Sequence, residues 1–174
     1  NTSSPSCRKD YRPIPRRTDI AYIGIDPGYN GGISVVWPDR TIDAYRFPAK
    51  LYNLPKILLS IKNHCHVEGF KECWMIEDVH ALRGSSAKGT FTFGRNLGVW
   101  EGILSTLNIK WIKISPKEWQ KEYELTVQGK ERKNKLKIFA QRYVNNSKST
   151  FNVTFATADA ILIAKYYKRK GIHY

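Results

Sequence analysis

Apolar and polar positions alternate in blocks from residue 20 onwards, and each block has the pattern of a strand or a helix. Short apolar runs rich in β-branched and aromatic residues predict five strands, at residues 20–25, 32–37, 41–47, 73–79 and 109–114. Apolar residues spaced by three and four, or a serine cap followed by proline, predict five helices, at residues 54–65, 92–107, 115–123, 129–144 and 155–170. The predicted order is therefore β-β-β-α-β-α-β-α-α-α.

The connections between the strands predict how they form a sheet. The first three strands are joined by short turns and are therefore expected to pair antiparallel, whereas the last two follow helices and are expected to run parallel to the first. The fold class is α/β, with a mixed five-stranded sheet and helices on both faces. Residues 1–19 are polar and rich in Pro, Ser and Arg, which predicts a basic flexible extension before one domain at residues 20–174.

The charge of the chain indicates a polyanionic partner. Its 174 residues include 29 Lys and Arg against 15 Asp and Glu, a formal net charge of +14. Nucleic acid is the most common partner of such a protein, because phosphate neutralisation dominates non-specific affinity. General solubility and docking onto an acidic assembly are the alternatives. No apolar run is long enough to predict a transmembrane helix, so we expect no membrane insertion.

Compartment is left open by the sequence. The three cysteines have no C-x-x-C spacing, which suits a reducing environment. The chain begins at Asn1 and not at methionine, as expected after removal of an organelle transit sequence or after trimming. A phage or bacterial cytoplasm and an organelle matrix such as that of the mitochondrion are both compatible with these features.

Three acidic residues stand in positions where carboxylates are unusual. Asp26 ends the first strand, Glu77 ends the apolar part of the fourth, and Asp159 lies near the start of the last helix. Asp is depleted in strands, and the carboxyl ends of neighbouring parallel strands meet at one sheet edge. We therefore expect Asp26 and Glu77 to lie together, with Asp159 delivered by a helix packed across that edge.

Clustered carboxylates repel one another unless a cation holds them. Mg²⁺ or Mn²⁺ prefers oxygen ligands, and a pair of such ions can activate water and stabilise the leaving oxygen of a phosphodiester. The glycines after Asp26, in "DPGYNGG", would let a backbone pass close to its carboxylate. The alternative is that each acid only caps a turn or a helix.

Four blocks of the sequence resemble those of a known family. "IGIDPGYNGGISVV", "IEDVHALRGSSAKGTFTFGRNLGVWEGIL", "ISPKEWQKEYEL" and "ADAILIA" are similar to successive blocks of the RuvC-type Holliday junction resolvases, above all their phage-encoded and organellar relatives. The resemblance runs from about residue 22 to 167. It implies a ribonuclease H-like fold and a homodimer that cuts four-way DNA junctions by Mg²⁺-dependent hydrolysis. It also implies that Asp26, Glu77 and Asp159 are the catalytic metal ligands.

The chain departs from this family at one metal position. The family usually carries a further acid or histidine three or four residues before the last Asp, where this chain has Ala156 and Phe155. A site that holds one metal poorly, a deliberate replacement and a natural degenerate copy are all compatible with this difference.

Candidate DNA-binding residues lie in two segments. Cationic and hydroxyl side chains there suit phosphates, and two aromatic side chains could wedge against unstacked bases. They are Arg83, Ser85, Ser86, Lys88, Phe91, Phe93, Arg95, Lys130, Arg132 and Lys133. The alternatives are that both phenylalanines face the core or a dimer partner and that the basic run is only a solvated helix face. The resemblance also implies that the helix at residues 92–107 makes dimer contacts, with Trp100 either their anchor or a core residue.

Three functions remain open at this point. The first is a junction-resolving endonuclease. The second is a catalytically silent, resolvase-like subunit of a larger organellar assembly, which the missing fourth ligand and the basic extension permit. The third is an actin/Hsp70-like nucleotide phosphotransferase, since "GIDPGYNGG" also resembles the phosphate loop of that fold; a single small domain lacks the second lobe needed to enclose ATP.

Overall fold

A mixed five-stranded sheet forms the centre of the protein. The structure is a computed structural model, and it describes residues 19–78, 86–125 and 127–171. The strands lie in the order β3-β2-β1-β4-β5. Their bounds are β1 Ile20–Asp26, β2 Gly32–Val36, β3 Ile42–Arg46, β4 Lys71–Glu77 and β5 Trp111–Ile114.

The strand directions are those predicted from the connections. β1, β2 and β3 pair antiparallel, and β1, β4 and β5 pair parallel. Ile25 is aligned with Ile76 in the parallel pair, so the last residues of β1 and β4 are neighbours at one edge of the sheet. This register brings Asp26 beside Glu77, because both strands run in the same direction and end together.

Helices cover both faces of the sheet, each over its own hydrophobic core. Alternate residues of β1 face opposite sides, with Tyr22 in one core and Ile23 in the other. The helices are α1 Asn53–Glu68, α2 Ala87–Thr106, α3 Pro116–Gln120, α4 Gly129–Asn145 and α5 Phe155–Lys170, with a 3₁₀ turn at Lys121–Tyr123. The side chains of α3, α4 and α5 pack on the face of Tyr22, and those of α1 and α2 on the face of Ile23.

α5 lies unusually close to the sheet. A Cβ at Gly24 would collide with the carbonyl oxygen of Ala160, and one at Gly32 would lie 2.8 Å from the carbonyl oxygen of Ala156. Glycine at these two strand positions therefore allows the backbone of the helix to approach the sheet. The approach fixes the first turns of α5 over the end of β1.

The predicted element order and fold class are confirmed, but the start of α2 was predicted five residues too late. Residues 87–91 belong to the helix, because the Ser86 hydroxyl oxygen accepts a hydrogen bond from the Gly89 amide at 3.1 Å and caps the first turn. None of the helices in the described ranges has the length and apolarity needed to cross a bilayer.

Candidate active site

The three predicted carboxylates line one cleft at the edge of the sheet. Asp26 is the last residue of β1, Glu77 the last of β4, and Asp159 lies in the second turn of α5. All three contribute to a cavity of about 500 Å³, which we call the carboxylate cleft. Elements distant in sequence are thus brought together by the parallel register and by the close packing of α5.

A glycine turn after β1 holds the carboxylate of Asp26. The Gly28 amide donates to Asp26 Oδ1 at 2.8 Å, and the Gly31 amide donates to the Gly28 carbonyl at 2.9 Å. A Cβ at Gly31 would collide with the carbonyl oxygen of Asp26 and lie 2.9 Å from its Cγ. The turn therefore closes tightly around Asp26 only with glycine at this position, in agreement with the close backbone approach predicted from the sequence.

Glu77 is buried and is oriented by a tryptophan from α3. The indole Nε1 of Trp119 donates to Glu77 Oε1 at 2.9 Å in a buried hydrogen bond. Trp119 belongs to α3, which is capped by Ser115 and begins at Pro116. The Ser115 side chain accepts a hydrogen bond from the Glu118 amide at 3.2 Å. One carboxylate oxygen of Glu77 is fixed by the bond from the indole. Sequence reasoning identified the cap but missed Trp119 as a site residue.

Burial raises the pKa of all three carboxyl groups, and repulsion from Asp26 adds to the increase at Glu77 and Asp159. Desolvation is the largest cause in each case. Desolvation and repulsion from Asp26 raise the pKa of Glu77 to about 8 and that of Asp159 to about 7. The pKa of Asp26 is also raised, although the Gly28 amide opposes the increase. Perturbed carboxyl groups that share a cleft are typical of functional sites.

Cations from α4 face the same carboxylates. Lys133 lowers the pKa of Asp26 and of Asp159 by its charge, and Arg132 does so for Glu77 and Asp159. The Arg132 guanidinium also donates to the Gln120 side chain at 3.0 Å. The two residues were predicted from the sequence as phosphate contacts, and that role stays a prediction. In the structure their charges partly neutralise the acids.

The donor set of the cleft fits a hard divalent cation. Its three side chains offer carboxylate oxygens, the ligands that Mg²⁺ and Mn²⁺ prefer, and Mg²⁺ commonly keeps several waters beside one or two protein carboxylates. Among the described residues, no three His, Cys, Asp or Glu side chains converge into a ready-made metal-binding group. At the position of the family's further ligand, Ala156 is buried and Phe155 is exposed, and neither side chain has an oxygen.

The predicted DNA-binding residues divide into four groups. Arg132, on α4, donates to the Gln120 side chain and does not line the carboxylate cleft. Lys130, Lys133 and Phe93 line the carboxylate cleft. Ser86, Lys88, Phe91 and Arg95 are exposed along the first turns of α2, where the Ser86 hydroxyl is used as the helix cap. Arg83 and Ser85 lie outside the described residues.

Three aromatic residues occupy positions that the sequence left open or did not indicate. Phe91 is 74% exposed and Phe93 is partly exposed, and neither belongs to the two hydrophobic cores. Of the alternatives that the sequence left open, the one in which both rings face the core is therefore wrong, and contact with a dimer partner or with unstacked bases stays a prediction. Trp100 is fully buried beside Phe47, with ring centroids 5.8 Å apart, and is a core residue that cannot anchor a dimer.

The carboxylate cleft has further lining residues that sequence reasoning missed. Tyr29, from the glycine turn, and Phe155, the first residue of α5, both line it. No periodic pattern could indicate them, because both side chains are exposed, Tyr29 in a turn and Phe155 at the start of a helix.

Comparisons with known proteins establish the fold. No protein-family model and no curated protein sequence matches the chain. The structure of T. thermophilus RuvC in complex with Holliday junction substrate is similar, at 16% identity and a TM-score of 0.57, over 87% of this chain and 96% of that one. A further Thermus thermophilus RuvC structure matches over the same shares, at 16% identity, with a TM-score of 0.52.

A weaker likeness extends to a eukaryotic protein. The yeast mitochondrial Holliday junction resolvase Ydc2 matches 92% of this chain and 81% of its own, at 17% identity and a TM-score of 0.44. The similarity to RuvC confirms the ribonuclease H-like architecture predicted from the sequence blocks. At these identities, the chain shares the resolvase fold, and its chemistry has to be argued from its own residues.

Proposed function

We propose that the protein is a structure-selective endodeoxyribonuclease that resolves four-way DNA junctions by metal-dependent phosphodiester hydrolysis. The observation that carries the proposal is the carboxylate cleft, which Asp26, Glu77 and Asp159 line together on a RuvC-like fold. The RuvC structure with a Holliday junction supports the choice of substrate. The net charge of +14 supports a polyanionic substrate independently.

The three carboxylates would hold Mg²⁺ or Mn²⁺. A divalent ion bound there would supply activation of water and stabilisation of the leaving oxygen. The chain's own contribution is positioning: the Gly28 amide orients Asp26, and the Trp119 indole orients Glu77. Because both bonds use only one oxygen of each carboxylate, the other remains available as a ligand.

Cationic residues at the cleft would place the phosphodiester. Lys130 and Lys133 line the cleft beside the acids, so a phosphate entering it meets both ammonium groups. Phosphate contacts of this kind fix register without reading sequence. We expect them to raise junction affinity with a strong dependence on salt concentration.

A homodimer is part of the proposal, because two symmetric cuts across a junction require two clefts. Sedimentation equilibrium of the protein alone and with junction DNA measures this directly. A dimer on the junction supports paired cutting, and a monomer on it contradicts paired cutting.

A second candidate is a catalytically silent, resolvase-like subunit of a larger assembly, for example in mitochondria. This candidate is favoured because the side chains of Ala156 and Phe155 offer no fourth metal ligand. The electrostatics of the cleft argue against it. Glu77 is buried and Asp26 and Asp159 are half-buried, and the repulsion among these carboxylates is costly to keep in a protein that binds no cation.

Cleavage of a labelled synthetic four-way junction with Mg²⁺ or Mn²⁺ separates the two candidates. Linear duplex of the same sequence and the Asp26→Asn variant are the controls. We expect paired nicks on the junction that the substitution abolishes. If the wild type binds the junction without cutting it and Ala156→Asp restores cutting, the missing ligand limits an otherwise competent site. A protein that neither binds nor cuts the junction would favour the silent subunit.

A further inference from the structure

Exposed aromatic side chains flank the carboxylate cleft on two sides. Tyr29 enters it from the turn between β1 and β2 and is 73% exposed, and Phe155 enters it from the first turn of α5 and is 51% exposed. Large aromatic side chains are usually buried for their hydrophobic contribution. Here two of the few exposed ones in the described chain share a single cleft.

Neither ring belongs to a hydrophobic core, and other groups close the turn and cap the helix that carry the two residues. The turn at Gly28 is closed by a backbone hydrogen bond from Gly31, so the Tyr29 side chain is not used to close the turn. The start of α5 is capped by Thr154 and Thr157, whose backbone and side chains form a capping box. Phe155 belongs to neither hydrophobic core. A role in binding accounts for the exposure of both rings better than a role in folding.

The surroundings of the two rings match a nucleotide. The Lys137 ammonium lies 4.9 Å from the centroid of Phe155, and Lys130 and Lys133 line the same cleft. Cations beside exposed rings are the combination with which proteins hold single-stranded nucleic acid, because bases stack on the rings and phosphates meet the charges. The cavity of about 500 Å³ lies next to the carboxylates, so a base held there would be close to the phosphate presented to them.

We propose that Tyr29 and Phe155 form a stacking site for unpaired nucleobases next to the phosphodiester bound at the carboxylate cleft. The inference rests on the proposed nuclease function and adds a requirement for unstacked bases at the cut. Selectivity for branched over linear DNA follows from this requirement, since a regular duplex keeps its bases stacked and offers none to the rings. Phe155 is then a binding residue at a position where the related family usually places a metal ligand or its neighbour.

The test is a comparison of normal and abasic probes. Junctions with natural bases or single abasic sites next to the branch point, and a short single strand carrying 2-aminopurine, are titrated with wild type, Tyr29→Ala, Phe155→Ala and the double variant. We expect each alanine variant to bind the natural junction about tenfold more weakly, as is typical of one lost base–aromatic stack. The abasic junction should show no such loss, and 2-aminopurine quenching should disappear in the double variant.

Two control variants keep the result specific. Tyr52→Ala removes an exposed tyrosine, 60% accessible, that does not line the cleft, and it should leave binding unchanged. Tyr29→Phe keeps the ring and should restore base-dependent affinity. Equal losses on natural and abasic probes, or quenching that survives the double substitution, would overturn the stacking site.

The outcomes also separate this inference from the proposed function. A wild type that cuts junctions but shows no base dependence at Tyr29 and Phe155 overturns the stacking site alone. A wild type without junction preference, whose 2-aminopurine quenching still depends on the two rings, overturns the resolvase and supports the stacking site. A wild type that binds none of the probes overturns both.

Discussion

Replacing Asp26 by Asn should stabilise the metal-free protein at high pH while it abolishes cleavage. Repulsion from Asp26 is the largest electrostatic cause, after burial, of the raised pKa values of Glu77 and Asp159. Asn keeps an oxygen that can accept the bond from the Gly28 amide, so the turn around residue 26 is retained. The substitution thus removes mainly a charge.

The pKa values set the size and the sign of the effect. The pKa of Glu77 rises from 4.5 to about 8 and that of Asp159 from 3.8 to about 7. The folded protein therefore binds more protons than the unfolded chain between about pH 4 and 8, so the free energy of unfolding falls as the pH rises through this window. One pKa unit corresponds to about 1.4 kcal/mol, so each of the two charged groups opposes folding by a few kcal/mol at pH 8.5, and most of this cost is desolvation. Repulsion from Asp26, reduced for partial exposure, accounts for about 1–2 kcal/mol of the cost.

Urea denaturation at pH 5 and pH 8.5 without divalent ions measures the effect. We expect the free energy of unfolding of Asp26→Asn to exceed that of wild type by about 1–2 kcal/mol at pH 8.5. The two values should be equal near pH 5, where Glu77 and Asp159 are largely protonated and offer no charge for Asp26 to repel. Excess Mn²⁺ should reverse the order, because only wild type would bind it strongly. Asp39→Asn is the matched control: Thr41 holds the pKa of Asp39 below its usual range, so this substitution should destabilise slightly. A metal-free wild type that is as stable as Asp26→Asn at pH 8.5 would refute the reasoning.

Three further predictions concern the residues around the acids. Gly31→Ala should lower the free energy of unfolding, measured by denaturation, by at least ~2 kcal/mol, because the added Cβ collides with the Asp26 carbonyl. Gly98→Ala, on the open face of α2, should raise it by roughly 0.5–1 kcal/mol. Trp119→Phe should leave Glu77 without its hydrogen bond and raise the pKa of Glu77, at a cost of about 1–2 kcal/mol in stability and with weaker Mn²⁺ binding by calorimetry. Mn²⁺ affinity should rise from pH 6 to pH 8.5 with release of protons, measured as a dependence of the binding heat on the buffer.

Each of these predictions has a contradicting result. A Gly31→Ala variant that is as stable as wild type would show that the turn does not need its glycine. Unchanged Mn²⁺ affinity in Trp119→Phe would remove the indole as a positioning group. A Mn²⁺ affinity independent of pH would place the ion away from the titrating carboxylates.

Much of the fold was predictable because strand and helix periodicities are local properties of the sequence. The apolar runs that end in Asp26 and Glu77 indicated two buried strands, and the helices between strands required parallel pairing. The start of α2 was missed because a single capping bond from Ser86 extends the helix into a polar segment without apolar periodicity.

The surroundings of the carboxylates were less predictable, because they depend on tertiary packing. The bond from Trp119 to Glu77 joins residues 42 positions apart, and no local pattern indicates it. Arg132 and Lys133 were identified as basic, but which charges they face is decided by how α4 docks beside α5. Tyr29 and Phe155 follow no apolar repeat, so only the structure shows them on one cleft.

The most direct measurement is calorimetric titration of Mn²⁺ into wild type and Asp159→Asn at pH 8. Asp159 lies on α5 and not in the sheet, so the substitution removes one carboxylate of the three and changes no strand residue. We expect saturable binding to wild type that is lost in the variant. Equal binding by both proteins, or no binding to wild type even with junction DNA present, would contradict a catalytic cation site formed by Asp26, Glu77 and Asp159.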